Sequence, residues 1–98
     1  MHRNNAIIGG VIVNLVTPRY TPAGILIAEF KVNHSSSQVE AGHLRKIEFE
    51  LEAIAMAEIA QTIIGIGSGS HVELTGFITK RNRLSNQLVF HVSGAKVI

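Results

Sequence analysis

The segment from Asn5 to His34, NNAIIGGVIVNLVTPRYTPAGILIAEFKVNH, constrains the fold more than any other stretch, because it holds two apolar strands joined by a turn containing Pro18 and Pro22. In the first strand Gly9 and Gly10 interrupt a β-branched run. A residue without a Cβ allows the sharp bend needed where one strand serves two sheet surfaces. Thr21, Pro22, Ala23 and Gly24 then place proline second and glycine fourth in a tight turn, so the second strand returns antiparallel. A bent strand followed at once by a hairpin predicts a small closed barrel.

The rest of the chain fits that expectation. In the second strand Leu26, Ala28, Phe30 and Val32 alternate with Ile27, Glu29, Lys31 and Asn33, which assigns the even-numbered set to the core. Ile47, Phe49, Leu51 and Ala53 alternate with Lys46, Glu48, Glu50 and Glu52 in a third strand; a slip of one residue would bury three glutamates, and Phe49 is expected inside. Ser35, Ser36, Ser37, Ala41 and Gly42 predict a mobile loop between these two strands. The Ala, Met and Ile content of Ala53 to Ile64 predicts a short helix closing one barrel end, stopped by Gly65, Gly67 and Gly69. Val72, Leu74, Gly76 and Ile78 form a fourth strand, Lys80 to Asn86 a basic turn, and Gln87 to Ile98 the last strand. The predicted class is therefore all-β with one short helix, and the order of three strands, helix and two strands is that of an OB-fold, a five-stranded Greek-key barrel.

With 98 residues the chain has the length of one domain, residues 1–98, and without cysteine it offers neither disulfides nor thiolate metal sites. No export signal or membrane-spanning run is evident, so a cytoplasmic location is the default. The net charge of +2 makes any attraction to polyanions depend on where the charges sit. Hydrophobic residues at 46% against charged ones at 16% favour self-association.

The residues Asn5, Gly10, Thr21, Pro22, Gly24 and Phe30, then Gly69, Ser70, Val72, Gly76 and Phe77, resemble the single-stranded-DNA-binding protein superfamily over nearly the whole chain. Within it the chain is most similar to the primosomal replication protein N (PriB) family. Val39 to Arg45 resembles the approach to that family's third strand, and no Gly/Pro-rich tail with an acidic tip follows Ile98. The resemblance implies a homodimer without catalytic activity or cofactor. It further implies binding to single-stranded DNA, to the restart helicase PriA and to a downstream primosome protein such as DnaT, in the restart of stalled replication forks.

Such binding needs cations that track phosphates and flat side chains on which bases stack. Lys80, Arg81 and Arg83 match the family's lysine-bearing loop, although three basic residues on a hairpin tip also blunt a strand end. Arg19 and Tyr20 in the first loop offer a guanidinium and a ring, with packing as the other role for the tyrosine. Arg45 matches a basic position of the family, Lys46 extends the track, and Lys31 points outward where it either meets phosphate or pairs with a cross-strand glutamate. Phe77 lies on the outward phase with Thr75 and Thr79, as a stacking residue or, preferably, a dimer or partner contact.

The chain also departs from the family. The position that carries a stacking tryptophan in well-known members is Glu48, the basic loop is shorter, and a lysine near its end is replaced by Asn86. Glu48, Glu50 and Glu52 face the nucleic-acid side, and carboxylates repel phosphates within a Debye length of about 8 to 10 Å. Single-stranded-DNA affinity below the family's best is expected, carried by loop cations more than by stacking. An OB-fold adaptor that chiefly binds proteins is the alternative, and an RNA-binding OB-fold a more remote one.

Enzymatic readings find no support in the residues. His2, His34, His43, His71 and His91 form no helical i to i+4 pair and lack a carboxylate at metal-ligand spacing. Gly65, Gly67 and Gly69 are not followed by Lys-Ser/Thr and a helix, and Ser35 to Ser37 have no local histidine and aspartate.

Overall fold

The computed structural model describes all residues, 1–98. Its elements are β1 (Ala6–Val13), β2 (Arg19–Tyr20), β3 (Leu26–Glu40), β4 (His43–Met56), α1 (Glu58–Ile66), β5 (His71–Lys80) and β6 (Leu88–Val97). The strands run in the order β1-β5-β6-β4-β3-β2, and a second pairing of β1 with β3 closes the sheet on itself. Five long strands and a helix between β4 and β5 reproduce the expected OB-fold, while β2 is a two-residue addition that places Arg19 and Tyr20 against Ile27 and Leu26.

Closure depends on the bend in β1. Ala6 to Val11 pair with β5, Val11 to Val13 with β3, and Gly10 sits just before the change of partner. A Cβ on Gly10 would lie 2.6 Å from the Asn33 carbonyl oxygen and 2.7 Å from Val32 Cγ1, so the close approach of β3 admits only glycine there. Asn4 prolongs the β1–β5 ladder by side chain: its Oδ1 accepts from the Ile78 amide at 3.0 Å and its Nδ2 donates to the Ile78 carbonyl at 2.6 Å.

The core forms where the inward phases of the strands meet. Ala28, Phe30 and Val32 of β3 are buried, with Leu26 packed against them, as the alternation requires. They contact Ile12, Ala53, Ala55, Val72, Leu74, Phe90 and Val92, and α1 caps this end of the barrel with Ala60 and Ile63. No helix is long and apolar enough to cross a membrane.

Three expectations need correction. The helix starts at Glu58, because Ala53, Ile54, Ala55 and Met56 continue β4: Ala53 pairs with Phe30 and Phe90, and Ala55 with Ala28. Core pairing overrides the helical propensity of these residues. The expected mobile loop is instead the outer half of a long hairpin. β3 and β4 stay paired from Ile27↔Met56 to Glu40↔His43, and Ala41 (φ 52°) and Gly42 (φ 79°) form the two-residue turn with both residues left-handed that suits twisted strands. Phe49, expected inside, is 39% exposed although its phase is inward, because the hairpin has left the barrel at that point. It stacks on His34, its cross-strand neighbour, at 4.7 Å.

Candidate nucleic-acid interface

The outer face of β3 and β4 is set by their register, which puts Glu29 opposite Ile54, Lys31 opposite Glu52, Asn33 opposite Glu50 and Ser35 opposite Glu48. The segment after β1 flanks this face on one side and the turn between β5 and β6 on the other. Between them lies an open cleft of about 150 Å³ whose lining includes Asn14, Val16, Lys31, Glu52, Arg81 and Val89. Phe30, Ala53 and Ile54 add to its apolar lining, and Glu29, Lys31, Glu52 and Arg81 make up its charged rim.

Glu52 is the hub of that rim. Arg81 Nη2 donates to Glu52 Oε2 at 2.8 Å, and Gln87 Nε2 donates to the same oxygen from the other end of the turn. With Lys31 opposite it, the Arg81 hydrogen bond holds the Glu52 carboxyl below the ordinary value of 4.5, against the opposing effect of partial desolvation. The Arg81 guanidinium is correspondingly raised by its hydrogen bond to Glu52. Arg19 makes a similar pair with Glu29 at 3.0 Å.

The basic turn is ordered by its own hydrogen bonds. The Arg81 amide donates to the Gln87 carbonyl at 2.9 Å, the Leu84 amide to Asn82 Oδ1 at 3.0 Å, and the Gln87 amide to Ser85 Oγ at 3.0 Å. Lys80 Nζ donates to the Arg83 carbonyl at 3.0 Å, and Thr79, Lys80, Asn82 and Arg83 line an open hollow that contains no hydrophobic residue. Lys80 and Arg83 face no carboxylate within ion-pair distance, nor does Lys31.

The cations named from sequence thus fall into separate groups. Arg19, Lys31 and Arg81 gather about the cleft, with Lys80 and Arg83 beside it on the turn, and Tyr20 presents a ring that is 69% exposed. Arg45 and Lys46 stand apart on the hairpin, about 20 Å along β4 from Glu52 at some 3.3 Å per residue. They are occupied by Glu40 and, at 2.8 Å, Glu48. Phe77 is two strands round the barrel from β4, half exposed and stacked on His91 at 5.1 Å.

Two residues of this surface carry no signal in the sequence. Gln87 is uncharged, so nothing in the order of residues ties it to Glu52. His34 joins the root of the hairpin to the bend in β1. Its Nδ1 donates to the Gly9 carbonyl at 2.6 Å, which leaves Nε2 to accept from Ser36 Oγ at 2.8 Å.

A family model described as another single-strand binding protein family matches residues 4–94. The replication restart protein PriB of Nitrosomonas europaea is 63% identical over 98 residues, which cover 100% of this chain and 91% of that protein. The solved structure of the protein PriB from Ralstonia solanacearum superposes with a TM-score of 0.88 at 30% identity, over 99% of this chain and 100% of that one. A deletion mutant of the single-stranded DNA binding protein from Thermus aquaticus gives a TM-score of 0.76 over 98% of this chain and 50% of that one. At 13% identity that likeness concerns the fold alone.

Proposed function

Since this chain belongs to the PriB family of single-strand binding proteins, we propose that it binds single-stranded DNA as an accessory protein of replication restart. The observation that carries the reading is the cleft on the β3–β4 face, where Lys31 and Arg81 meet the turn that bears Lys80 and Arg83. In this reading phosphates follow the turn cations and Arg19 holds the strand at the first loop. Tyr20 offers the stacking surface that Glu48 cannot supply. Arg45 and Lys46 act as outlying contacts along the hairpin. The protein works in the cytoplasm as a homodimer with Phe77 at a dimer or partner contact, and it engages the helicase PriA and a downstream primosome protein such as DnaT.

Fluorescence anisotropy with a labelled oligothymidine tests the nucleic-acid part. Changing Lys80, Arg81 and Arg83 together to alanine should weaken binding and reduce the salt slope by about 2, at some 0.7 for each phosphate of a single strand that is no longer neutralised. Wild-type protein that fails to bind at low salt would contradict the reading.

A second reading is favoured by the ion pairs. Arg19, Arg45, Lys46 and Arg81 each face a carboxylate, and Ile7, Leu88 and Phe77 are exposed apolar side chains. Such a surface suits a protein adaptor with little DNA affinity of its own. Binding to fork DNA with and without the helicase separates the two. The adaptor binds only when the helicase is present.

A further inference from the structure

Each ion pair on the β3–β4 side neutralises a cation, and two of the carboxylates involved, Glu29 and Glu52, line the cleft; of these Glu52 is the one that holds the basic turn. Glu48 and Glu40 are 59% and 65% exposed along the hairpin and neutralise their own neighbours there. Glu52, at 31%, lines the cleft and concentrates donors on one oxygen: Arg81 Nη2 at 2.8 Å and Gln87 Nε2, both from the basic turn. Lys31 stands opposite it in the register. A guanidinium and an amide N–H on one anionic oxygen, with an ammonium across the strand pair but outside ion-pair distance, resemble the donors that a phosphodiester oxygen would require.

We propose that Glu52 occupies the phosphate position of the cleft and sets the affinity of this face for single-stranded nucleic acid. The inference rests on the DNA-binding reading above and names the residue that limits it. A strand entering the cleft competes with Glu52 for the Arg81 guanidinium, and the carboxylate stays close by because β4 is held between β3 and β6. The incoming phosphate therefore meets both the broken internal pair and the charge that remains. Oligonucleotides held at several points on the turn can overcome this. A single phosphate group cannot, so the same carboxylate discriminates against short anions.

Anisotropy with labelled oligothymidine at low salt, comparing wild type with Glu52→Gln and Glu48→Gln, tests the inference. The two substitutions remove the same formal charge from the same strand face, so a general electrostatic effect moves both alike. Glu52→Gln should tighten binding about tenfold and steepen the salt slope by about 0.7, one more phosphate neutralised, while Glu48→Gln changes affinity less than about threefold. In an Arg81→Ala background the gain from Glu52→Gln should fall to that of Glu48→Gln. Thermal melts check that the variants fold, and Glu52→Ser serves the same comparison if the glutamine variant is unstable. Equal effects of the two glutamine variants, or no tightening where wild type itself binds, would overturn the role of Glu52 and leave the DNA-binding reading standing. Absence of binding by wild type and Glu52→Gln alike would overturn both.

Discussion

Glu52 and His34 show how single side chains couple the barrel to its surface. Because the folded-state carboxyl of Glu52 lies below its ordinary value, its contribution to stability is complete above that value and disappears as pH falls through the folded value. Arg81, raised by its bond to Glu52, remains protonated throughout that range, and Gln87 does not titrate. The difference in stability between wild type and Glu52→Gln should therefore be constant from about pH 6 upward and shrink towards zero in acid; urea titrations across pH measure it. A difference that grew in acid would contradict the assignment. His34→Ala removes two hydrogen bonds and the stack on Phe49, and should cost about 1–3 kcal/mol. Hydrogen exchange should locate the loosening in the hairpin rather than in α1. Gly10→Ala places a carbon 2.6 Å from the Asn33 carbonyl oxygen and should destabilise the barrel by at least about 2 kcal/mol in denaturant titration. That glycine was legible in the sequence because it breaks a β-branched run. His34 was not, since a lone histidine in a polar stretch has no periodic signal and its partner Gly9 is 25 residues away.

At the scale of elements, legibility follows burial. Leu26 to Val32 of β3 and Leu51 to Ala53 of β4 have one face on the core, so period two marks them and gives the phase that faces inward. Beyond Asn33 the β3 arm of the hairpin is mostly exposed and polar on both faces, so it shows no apolar alternation, although its partner arm still alternates from Lys46 to Glu50. Ser35, Ser36 and Ser37 then resemble a loop although they pair with Glu48, Ile47 and Lys46. The boundary of α1 was displaced for the opposite reason: small apolar residues suit both a helix and a crowded barrel wall, and only the pairing of Ala53 with Phe30 and Phe90 decides between them. The turn at the hairpin tip offers a test. Ala41 adopts a left-handed conformation that costs a Cβ-bearing residue about 1–2 kcal/mol, whereas asparagine tolerates it. Ala41→Asn should raise hairpin stability by up to about 1 kcal/mol, seen as slower amide exchange near the tip, and unchanged or faster exchange would contradict the paired geometry.

As a whole the molecule measures 51 × 32 × 21 Å, with a radius of gyration of 14.4 Å against about 13 Å for a compact chain of this length. The excess is the projecting hairpin, which carries Arg45 and Lys46 away from the cleft. Candidate cations that the sequence presents as one track are therefore divided in space. Those about the cleft are partly answered by Glu29 and Glu52, and those on the hairpin by Glu40 and Glu48. Charge could be located from sequence by strand phase, but its cancellation could not, because Arg81 and Glu52 are 29 residues apart and meet only through barrel closure. The most direct test of the account is a residue-resolved NMR titration of the isotope-labelled protein with oligothymidine at low salt. Binding of this kind shifts amides at residues 14–20, 29–33, 50–54 and 80–87 in one concerted set, with smaller shifts at residues 45 and 46. Shifts confined to α1 or to the Phe77 and His91 surface, or none at saturating oligonucleotide, would contradict it.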